Sequence, residues 1–332
     1  MKQNNMKKLL TLLLSGFCIS IPLSAVGHSS VALSMTSNGV TSPACFQQSG
    51  TSLPTVERKC MLDKITAYIK LNHLQADSLS AFQKAFKEMK LRGATLLILD
   101  LQDCDGNDVV ASNQLGLLLT GLQNMVTKPG KVAAQQRIQH LKQVLPPLER
   151  IALLIGGRQT SAGVAQFVSA LCSHKLAVTV GDTIHVEGKA ALIADVSTDQ
   201  DMPYANNWYR QVEKSRIPEH IAADYLVAHR DSLLRRYQTG QAFLYNFDDN
   251  EALLGPLRRQ TAAAGIALDN DQYMFAAAHV LLQMKALVAK SLYPSEPDIA
   301  DRILVSRNLV VQQARQVLRS ADYTRLLSGA SR

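Results

Sequence analysis

The sequence predicts an α/β fold that is followed by a helical region, and three observations support this. Strand-like and helix-like segments alternate from Lys64 onwards. The run TLLILDL (95–101) contains the continuous apolar stretch LLIL, which is typical of a strand covered on both faces. After about residue 200 the apolar residues recur at helical spacing, without a strong strand run. Together these patterns favour a mostly parallel sheet with crossover helices.

The first elements are a strand, a helix and a second strand. ITAYIKL (65–71) alternates and is rich in residues that favour strands. The next segment, from Asp77 to Lys90, has apolar residues at helical spacing, and Gly93 follows it as a stop signal. TLLILDL (95–101) is the second strand. A tight polar turn, DCDGND (103–108), leads from it into a helix predicted over Val109–Met125.

The second half of the predicted core repeats this alternation. Residues 127–150 are a polar connector that is broken at Pro146 and Pro147. IALLIGG (151–157) is a buried strand, Ala162–Cys172 is a helix, and LAVTVG (176–181) is a further strand. Strand-like alternation then continues from Ile184 to Ile193. We expect the strands at 95–101 and 151–155 to lie parallel and near each other in one sheet, which would bring the Gly106 loop against the start of the helix that follows Ser161.

The remainder of the chain is predicted to be helical. Four segments carry the helical pattern: 218–237, 249–264, 271–292 and 298–327. We therefore divide the chain into an α/β core over residues 55–200 and a helical C-terminal region over residues 201–332. The helical region is interpreted as an appendage to the core and not as a second catalytic domain.

The N-terminus has the features of a secretory signal peptide over residues 1–27. Lys7 and Lys8 precede a short apolar run, and small residues follow it, so that cleavage after Gly27 or Ala32 is expected. The run is shorter than the roughly 20 residues that a membrane span requires. Residues 28–54 are rich in Ser, Thr, Gly and Pro and are interpreted as a flexible linker. The mature protein is expected in the periplasm or outside the cell, without an integral membrane segment.

Charge and cysteine content exclude several classes of function. The net charge is +8, and loss of the first 27 residues, with Lys2, Lys7 and Lys8, leaves +5. The basic residues are mixed with acidic ones, so we expect no nucleic-acid partner. No Cys or His spacing is typical of a metal site, and we expect no metal and no cofactor. In an oxidising compartment, Cys45 and Cys60 are the expected disulfide pair.

Two segments together resemble a known family. The first is residues 65–109, where GATLLILDLQDCDGND resembles the family's GLILDLRNNPGG pattern. The second is Ile151–Gly188, where IGGRQTSAGVAQFVSAL resembles VNGGSASASEIVAGAL. The chain is thereby similar to the C-terminal processing peptidases, also called tail-specific proteases, which are serine peptidases. The resemblance implies a crotonase-like (ClpP/crotonase) core and a protein or peptide as substrate or partner.

The resemblance also implies site residues. Ser161 matches the family's nucleophile, and its place before a helix suits that role. A transition-state oxyanion needs two donors. The N–H group of Ala162 matches one, and Gly106 matches a glycine of the NPGG loop that supplies the other. The family's general base is a lysine about 25 residues after the serine, because a serine hydroxyl needs a group to take its proton.

This sequence departs from the family at several of these positions. Glu187 stands at the lysine position and Ala191 at the position of a glutamine four residues later. Val164 replaces an acidic residue three positions after the serine. Members of the family place a peptide-binding PDZ domain before the first strand, and the residues between the signal peptide and Lys64 are too few for one. These departures put the catalytic activity in doubt.

Alternatives to each assignment follow from the residues themselves. Ser161 is also a good N-cap for the helix that follows it. If residues 185–189 form one strand, His185, Glu187 and Lys189 share a face. His185 could then replace the lysine as general base with Glu187 as its orienting group, or a slip could bring Lys189 to the site. Equally, these charges could be exposed and pair with one another.

Two functions remain open at this point. The first is an exported serine-type peptidase of the tail-specific class, with Ser161 as nucleophile and with impaired or lost activity. The second is a catalytically dead pseudopeptidase that binds or scaffolds a partner protein. The family resemblance favours the first, and the replacement of the lysine and the glutamine favours the second.

Overall fold

The central feature of the computed structural model is a six-stranded sheet. The structure describes residues 54–75, 78–106, 108–120, 148–156, 161–182, 184–186, 189–192, 194–197, 207–266 and 270–328. The described strands are β1 (Val56–Met61), β2 (Thr66–Leu71), β3 (Leu96–Asp100), β4 (Arg150–Ile155), β5 (Val178–Gly181), β6 (Ile184–Val186), β7 (Lys189–Leu192) and β8 (Val196–Ser197). The strand order in the sheet is β1-β2-β3-β4-β5-β8. The described helices are α1 (Ser78–Leu91), α2 (Val109–Thr120), α3 (Ala162–Ser173), α4 (Asn207–Ser215), α5 (Ile217–Arg236), α6 (Gly240–Asn246), α7 (Asn250–Ala263), α8 (Asn270–Leu292), α9 (Ile299–Val305), α10 (Leu309–Arg319) and α11 (Asp322–Leu327).

Strands β2 to β5 and β8 are parallel, and β1 is antiparallel to β2 at one edge. The predicted α/β class is confirmed, and so is the expectation that the strands at 95–101 and 151–155 lie parallel and near each other: Leu97 pairs with Ile151 and Leu99 with Leu153. Every residue of β3 is buried, as the continuous apolar run predicts. Strand β1 is not predicted from the sequence, because its alternation is weak and four of its six residues are only half-buried.

Helices α1, α2 and α3 cover one face of the sheet. Their buried residues, among them Phe82, Leu115 and Phe167, form one apolar cluster with the side chains of Ile69, Leu99 and other alternate strand residues. This arrangement follows from the period of two along each strand, which places Ala67, Ile69 and Leu71 on the same side. All the described residues belong to one compact unit.

The opposite face of the sheet is covered by the end of the chain. The buried face of α10 packs, together with Tyr323, against an apolar surface of the sheet. The α10 residues are Val310, Val311, Ala314, Val317 and Leu318. The sheet residues are Cys60, Tyr68, Leu96, Ile98, Ala152, Leu154, Val178 and Val180. Helices α4 to α9 have a separate cluster of their own. The division of the chain at residue 200 stays a prediction. The structure adds that α10 and α11 cover one face of the sheet, whereas the helices before them form a second apolar cluster.

Polar contacts hold the final helices to the sheet. Asp298, which precedes α9, accepts hydrogen bonds from the Met61 N–H at the free edge of β1 (3.1 Å) and from the Arg92 guanidinium (2.7 Å). The Tyr323 hydroxyl bonds to both the N–H and the carbonyl oxygen of Ile151, at 2.9 and 3.1 Å. The outer edge of β1 is therefore occupied by a carboxylate of the helical region and not by another strand.

The helix predicted over 298–327 is wrong in one respect, because the structure divides this segment into α9, α10 and α11. Asn308 starts α10 as its N-cap, since its side-chain oxygen accepts the Val311 N–H at 3.1 Å. Ser320 then has an extended backbone, which ends α10. Both breaks lie at polar residues that favour caps over helix interiors.

The predicted disulfide between Cys45 and Cys60 is contradicted at Cys60. Cys60 is a free thiol that is completely buried in the cluster beneath α10. Burial raises the pKa of this thiol well above its ordinary value, so it stays protonated and behaves as a small apolar side chain. Its proposed partner, Cys45, lies outside the described residues, as do the signal peptide and the 28–53 part of the linker. Among the helices that the structure describes, none has both the length and the apolar character of a membrane span.

Candidate active site

Ser161 lies at the carboxyl edge of the parallel strands, where ligand sites of α/β folds are found. Residues 157–160, which are not described, connect it to β4, and it is the N-cap of α3. Its backbone is extended, and its Oγ accepts the Val164 N–H at 3.3 Å. Val164 is completely buried in the core, so the position where the family has an acidic residue serves packing here. The prediction that Ser161 is the N-cap of this helix is thus confirmed.

The Gly106 loop is brought into direct contact with Ser161. The hydroxyl of Ser161 donates a hydrogen bond to the carbonyl oxygen of Gly106. The two residues are separated by 55 positions in the sequence, so this contact results from the parallel pairing of β3 with β4. The predicted juxtaposition of the Gly106 loop and the start of the Ser161 helix is therefore confirmed. Gly106 meets Ser161 through its carbonyl oxygen, however, and its role as an oxyanion donor stays a prediction.

The Gly106 loop is held in place by the segment that follows β2. The Leu74 N–H donates to the Asp105 carbonyl at 2.8 Å, and the Asp105 N–H donates to the Asn72 carbonyl at 3.1 Å. Gly106 has φ +119°, a left-handed conformation that favours glycine, and an added Cβ would lie 2.2 Å from the Leu74 carbonyl oxygen. Only glycine fits at this position, which explains why the DCDGND turn requires it.

A buried Tyr–Asp pair supports the base of the same loop. The Tyr68 hydroxyl donates to Asp100 Oδ2 at 2.6 Å, and Asp100 Oδ1 accepts the Gln102 N–H at 2.9 Å. Burial raises the pKa of Asp100, and the nearby Lys70 opposes that rise. With both oxygens already bonded inside the protein, Asp100 orders the chain that leads to Gly106 and is not placed as a general acid. The pairing with Tyr68 is not apparent from the sequence, because the two residues lie 32 positions apart.

The cysteine thiol within this loop is not a nucleophile. Cys104 is completely buried, and burial raises its pKa to about 12. Nucleophilic attack by cysteine requires the thiolate, which this environment disfavours. Cys104 therefore does not compete with Ser161 as a nucleophile at this edge.

Ala162, the oxyanion donor that the resemblance implies, directly follows Ser161 in the chain. It is the first residue of α3 and is exposed. Within the described ranges its N–H has no hydrogen-bond acceptor, as expected for the first turn of a helix. The N-terminus of α3 therefore presents one open donor beside the Ser161 hydroxyl. Among the described residues, the contact of Gly106 with Ser161 is made by its carbonyl oxygen, which is an acceptor, so a second donor from Gly106 stays a prediction.

The candidate bases lie on a hairpin and not on one strand. Strands β6 and β7 are antiparallel, with His185 paired to Ala190 and Val186 paired to Lys189. The single strand assumed for 184–193 is therefore wrong, because the chain reverses between Val186 and Lys189, and the shared face that was inferred from a period of two does not apply. Glu187 lies outside the described residues. Ala191, at the position of the family's glutamine, is in β7.

The hairpin nevertheless lies next to α3, the helix that begins after Ser161. Strand β5 ends at Gly181, at the same sheet edge as Ile155, and β6 begins three residues later. Both hairpin strands contact α3. Among the described residues, no titratable side chain hydrogen-bonds to the Ser161 hydroxyl, and no group of His, Cys, Asp and Glu side chains is arranged to hold a metal ion.

Comparison with known proteins identifies the family. The model of peptidase family S41 matches residues 65–227, which include Gly106, Ser161 and the hairpin. A second model, that of a family of unknown function (DUF8443), matches residues 208–294, which cover α4 to α8. No curated protein matches the chain.

Solved structures with similarity to the chain are distant. The photosystem II D1 C-terminal processing protease is 15% identical over 40% of this chain and 42% of its own, with a TM-score of 0.29. A protein from Bacteroides fragilis NCTC 9343 that is assigned to the S41 proteases is 14% identical over 39% of each chain, with a TM-score of 0.31. A lipoprotein from Streptococcus agalactiae is 13% identical over 46% of this chain and 69% of its own, with a TM-score of 0.31. The chain thus spans less than half the length of the first two. Through residues 65–227, the chain belongs to peptidase family S41.

Proposed function

We propose that this chain is an exported serine-type peptidase of the tail-specific class, with Ser161 as its nucleophile and with impaired or lost hydrolytic activity. The observation that carries the proposal is the contact between the Ser161 hydroxyl and the Gly106 carbonyl at the N-terminus of α3. It unites the two loops that such a site requires, in a chain whose family match spans both. The proposed core is of the crotonase-like peptidase type, with protein or peptide as substrate.

The same contact supports the proposed impairment. A backbone carbonyl accepts a hydrogen bond but is not basic enough to remove the proton of a serine hydroxyl, so Ser161 is not activated in this arrangement. The oxyanion of acyl transfer needs donors aimed at its position, and Gly106 directs an oxygen towards the nucleophile instead. A lysine base and a glutamine are also replaced, by Glu187 and Ala191.

The second candidate is a pseudopeptidase that binds or scaffolds a partner protein through the same edge of the sheet. It is favoured by the N-cap role of Ser161, which accounts for the serine without any catalysis. Export and a periplasmic location are part of both proposals and rest on the Lys-rich, apolar N-terminal sequence.

Covalent labelling of Ser161 distinguishes the two candidates. If the site retains reactivity, a fluorophosphonate probe is expected to label the purified protein slowly, and Ser161→Ala is expected to abolish the label. The matched control is Ser169→Ala, an exposed serine on the same helix, which should label like the wild type. Absence of any label on the folded wild-type protein contradicts the enzyme and leaves the pseudopeptidase.

Restoring the base is expected to restore part of the activity. A glutamate carboxylate has an ordinary pKa near 4.3 and is a weak base towards serine. Desolvation can lower the pKa of a lysine amine towards 7, which makes its neutral form available as a base. A positioned general base contributes about 10²- to 10⁴-fold in rate. We therefore expect Glu187→Lys to hydrolyse casein about tenfold above a Ser161→Ala blank, and Glu187→Lys with Ala191→Gln to exceed it further. If both variants are folded and neither exceeds the blank, the replaced base is not the cause of the defect.

A further inference from the structure

Two basic side chains of the helical region, Lys285 and Arg307, are brought together by a pair of helices. Helix α8 ends at Leu292, and after a short turn the seven residues of α9 pack back against α8. Seven helical residues advance about 10 Å, so the chain just after α9 returns to the level of Lys285. The charge of Arg307 accordingly acts on the Lys285 amine: after burial, it is the next contribution that lowers the pKa of Lys285.

The Lys285 amine is buried with few acceptors around it. An ammonium group has three donors. Lys285 is only 9% exposed, and among the described residues its hydrogen bond is the one to the Phe247 carbonyl at the end of α6, with a length of 3.4 Å. The amine otherwise faces the Phe247 ring, whose centre lies 4.9 Å away. Since buried polar groups are normally bonded, the amine has unused capacity for an acceptor from outside the chain.

Within the described residues, no carboxylate pairs with either of these two cations. None of the ion pairs there includes Lys285 or Arg307. Asp248 acts on Lys285 through its charge, but its oxygens are engaged elsewhere. Its Oδ1 accepts the Tyr237 hydroxyl at 3.2 Å, and its Oδ2 accepts the Arg236 guanidinium at 3.1 Å. Like charges repel, so two neighbouring cations without a counter-charge of their own favour a bound anion.

We propose that Lys285 and Arg307 bind a phosphate group, as inorganic phosphate or as a phosphomonoester, where the end of α6 meets α8 and the turn after α9. The two cations match the charge of one phosphate group, about −1.5 to −2 at pH 7. A guanidinium can hold two of its oxygens side by side, and an ammonium can donate to a third. The inference does not rest on the proposed function, because both side chains belong to the helical region, and it applies equally to a peptidase and to a pseudopeptidase.

A bound phosphate also accounts for a lysine at an apolar position. Without an anion, burial of the charged amine costs free energy and opposes folding. In the complex the charge is paired, so phosphate should bind the folded chain in preference to the unfolded one and stabilise it. A carboxylate is the alternative oxyanion, but it carries one negative charge and leaves one of the two cations unbalanced. We therefore expect phosphate to stabilise the protein more than acetate does.

Thermal unfolding of the full chain in inorganic phosphate, against sodium chloride at equal ionic strength, tests the site. At about ten times the dissociation constant, phosphate is expected to raise the midpoint of the wild type by about 3 °C. Phosphate also stabilises proteins by exclusion from their surface, so the site is measured by the difference between the wild type and its variants. We expect Lys285→Met and Arg307→Gln to lose this difference and Arg307→Lys to keep part of it. Lys290→Met and Arg259→Gln, at exposed positions in the helical region, should behave like the wild type.

Phosphoserine, used in the same way, separates the two sources of the phosphate group. Stabilisation by both compounds assigns the site to phosphomonoesters as well, and stabilisation by inorganic phosphate alone assigns it to the free ion. If phosphate raises the midpoint of Lys285→Met or Arg307→Gln as much as that of the wild type, the two cations do not bind it and the proposal is wrong. If acetate stabilises the wild type as strongly as phosphate does, and the same variants lose the effect, the site takes a carboxylate and the argument from two charges is overturned.

Discussion

Ala314→Asp is expected to destabilise the protein by about 4 kcal/mol, because it places an unpaired carboxylate between α10 and the sheet. Ala314 is completely buried and packs in the cluster that includes Tyr68, Ile98 and Leu154. Native domains have free energies of unfolding of only about 5–15 kcal/mol, so a loss of this size lowers the urea midpoint severely. Urea unfolding followed by circular dichroism measures the effect.

The control for this substitution lies two residues further along the same helix. Gln316 is exposed, so Gln316→Asp adds the same charge to α10 without burying it and is expected to change the free energy of unfolding by less than about 0.5 kcal/mol. Equal effects of the two substitutions would mean that α10 does not cover the sheet in solution. The α/β core would then have to be stable with one face exposed.

The strands of the core are predictable because each of them is a local pattern. TLLILDL and IALLIGG each contain an uninterrupted apolar stretch, LLIL and IALLI, and both become strands that are buried on both sides. Strand β1 lacks such a pattern: its Lys59 and Met61 N–H groups are bonded by Asp301 and Asp298, more than 230 residues away in the sequence. An edge strand that is completed by distant carboxylates leaves no signal within its own residues.

The covering of the second sheet face is also a long-range property. The sequence predicts helices after residue 200 but cannot state that the last two pack on the sheet while the others form a separate cluster. In α10 the apolar residues lie at helical spacing, as in any amphipathic helix. The choice of surface is made by tertiary contacts such as the Arg150 guanidinium, which donates to the Leu318 and Ser320 carbonyls at 2.8 Å.

The candidate site is likewise predictable in part, because some of its features follow from the sequence and others from tertiary contacts. The resemblance identifies Ser161, Ala162 and Gly106, and the fold brings them together. It cannot reveal which end of the Gly106 peptide faces the serine, because that depends on a left-handed φ and on the closeness of Leu74. Nor can it separate one strand from a hairpin at 184–192, since a two-residue reversal between short strands preserves much of the apparent alternation.

A buried lysine in the helical region is another feature that the sequence does not reveal. Lys285, on α8, is 9% exposed, and its amine lies 4.9 Å from the centre of the Phe247 ring. Its hydrogen bond to the Phe247 carbonyl is long, at 3.4 Å, and none of the ion pairs among the described residues includes it. Burial lowers the pKa of this lysine to about 8, with a further contribution from Arg307. The charged form is therefore disfavoured by folding.

The sign of the resulting pH dependence follows from proton linkage. The unfolded lysine has a pKa near 10.4, so between about pH 8 and pH 10 the unfolded state binds more protons than the folded state. This group therefore makes the protein more stable as the pH rises through that window. Below about pH 8 both states are protonated, and the full cost of burying the charge is present.

Lys285→Met is accordingly expected to stabilise the protein at pH 7 by about 1–3 kcal/mol, because each pKa unit corresponds to about 1.4 kcal/mol and part of that is offset by lost contacts. Methionine has a similar length and keeps a favourable contact with the Phe247 ring. Urea unfolding at pH 7 and pH 9.5 should show a smaller gain at the higher pH, since the wild-type amine is then neutral. Lys290→Met, at an exposed position on the same helix, provides the control, with a change below about 0.5 kcal/mol at both pH values. A Lys285→Met variant that is less stable than the wild type at pH 7 would mean that the amine is better solvated or better paired than its burial indicates.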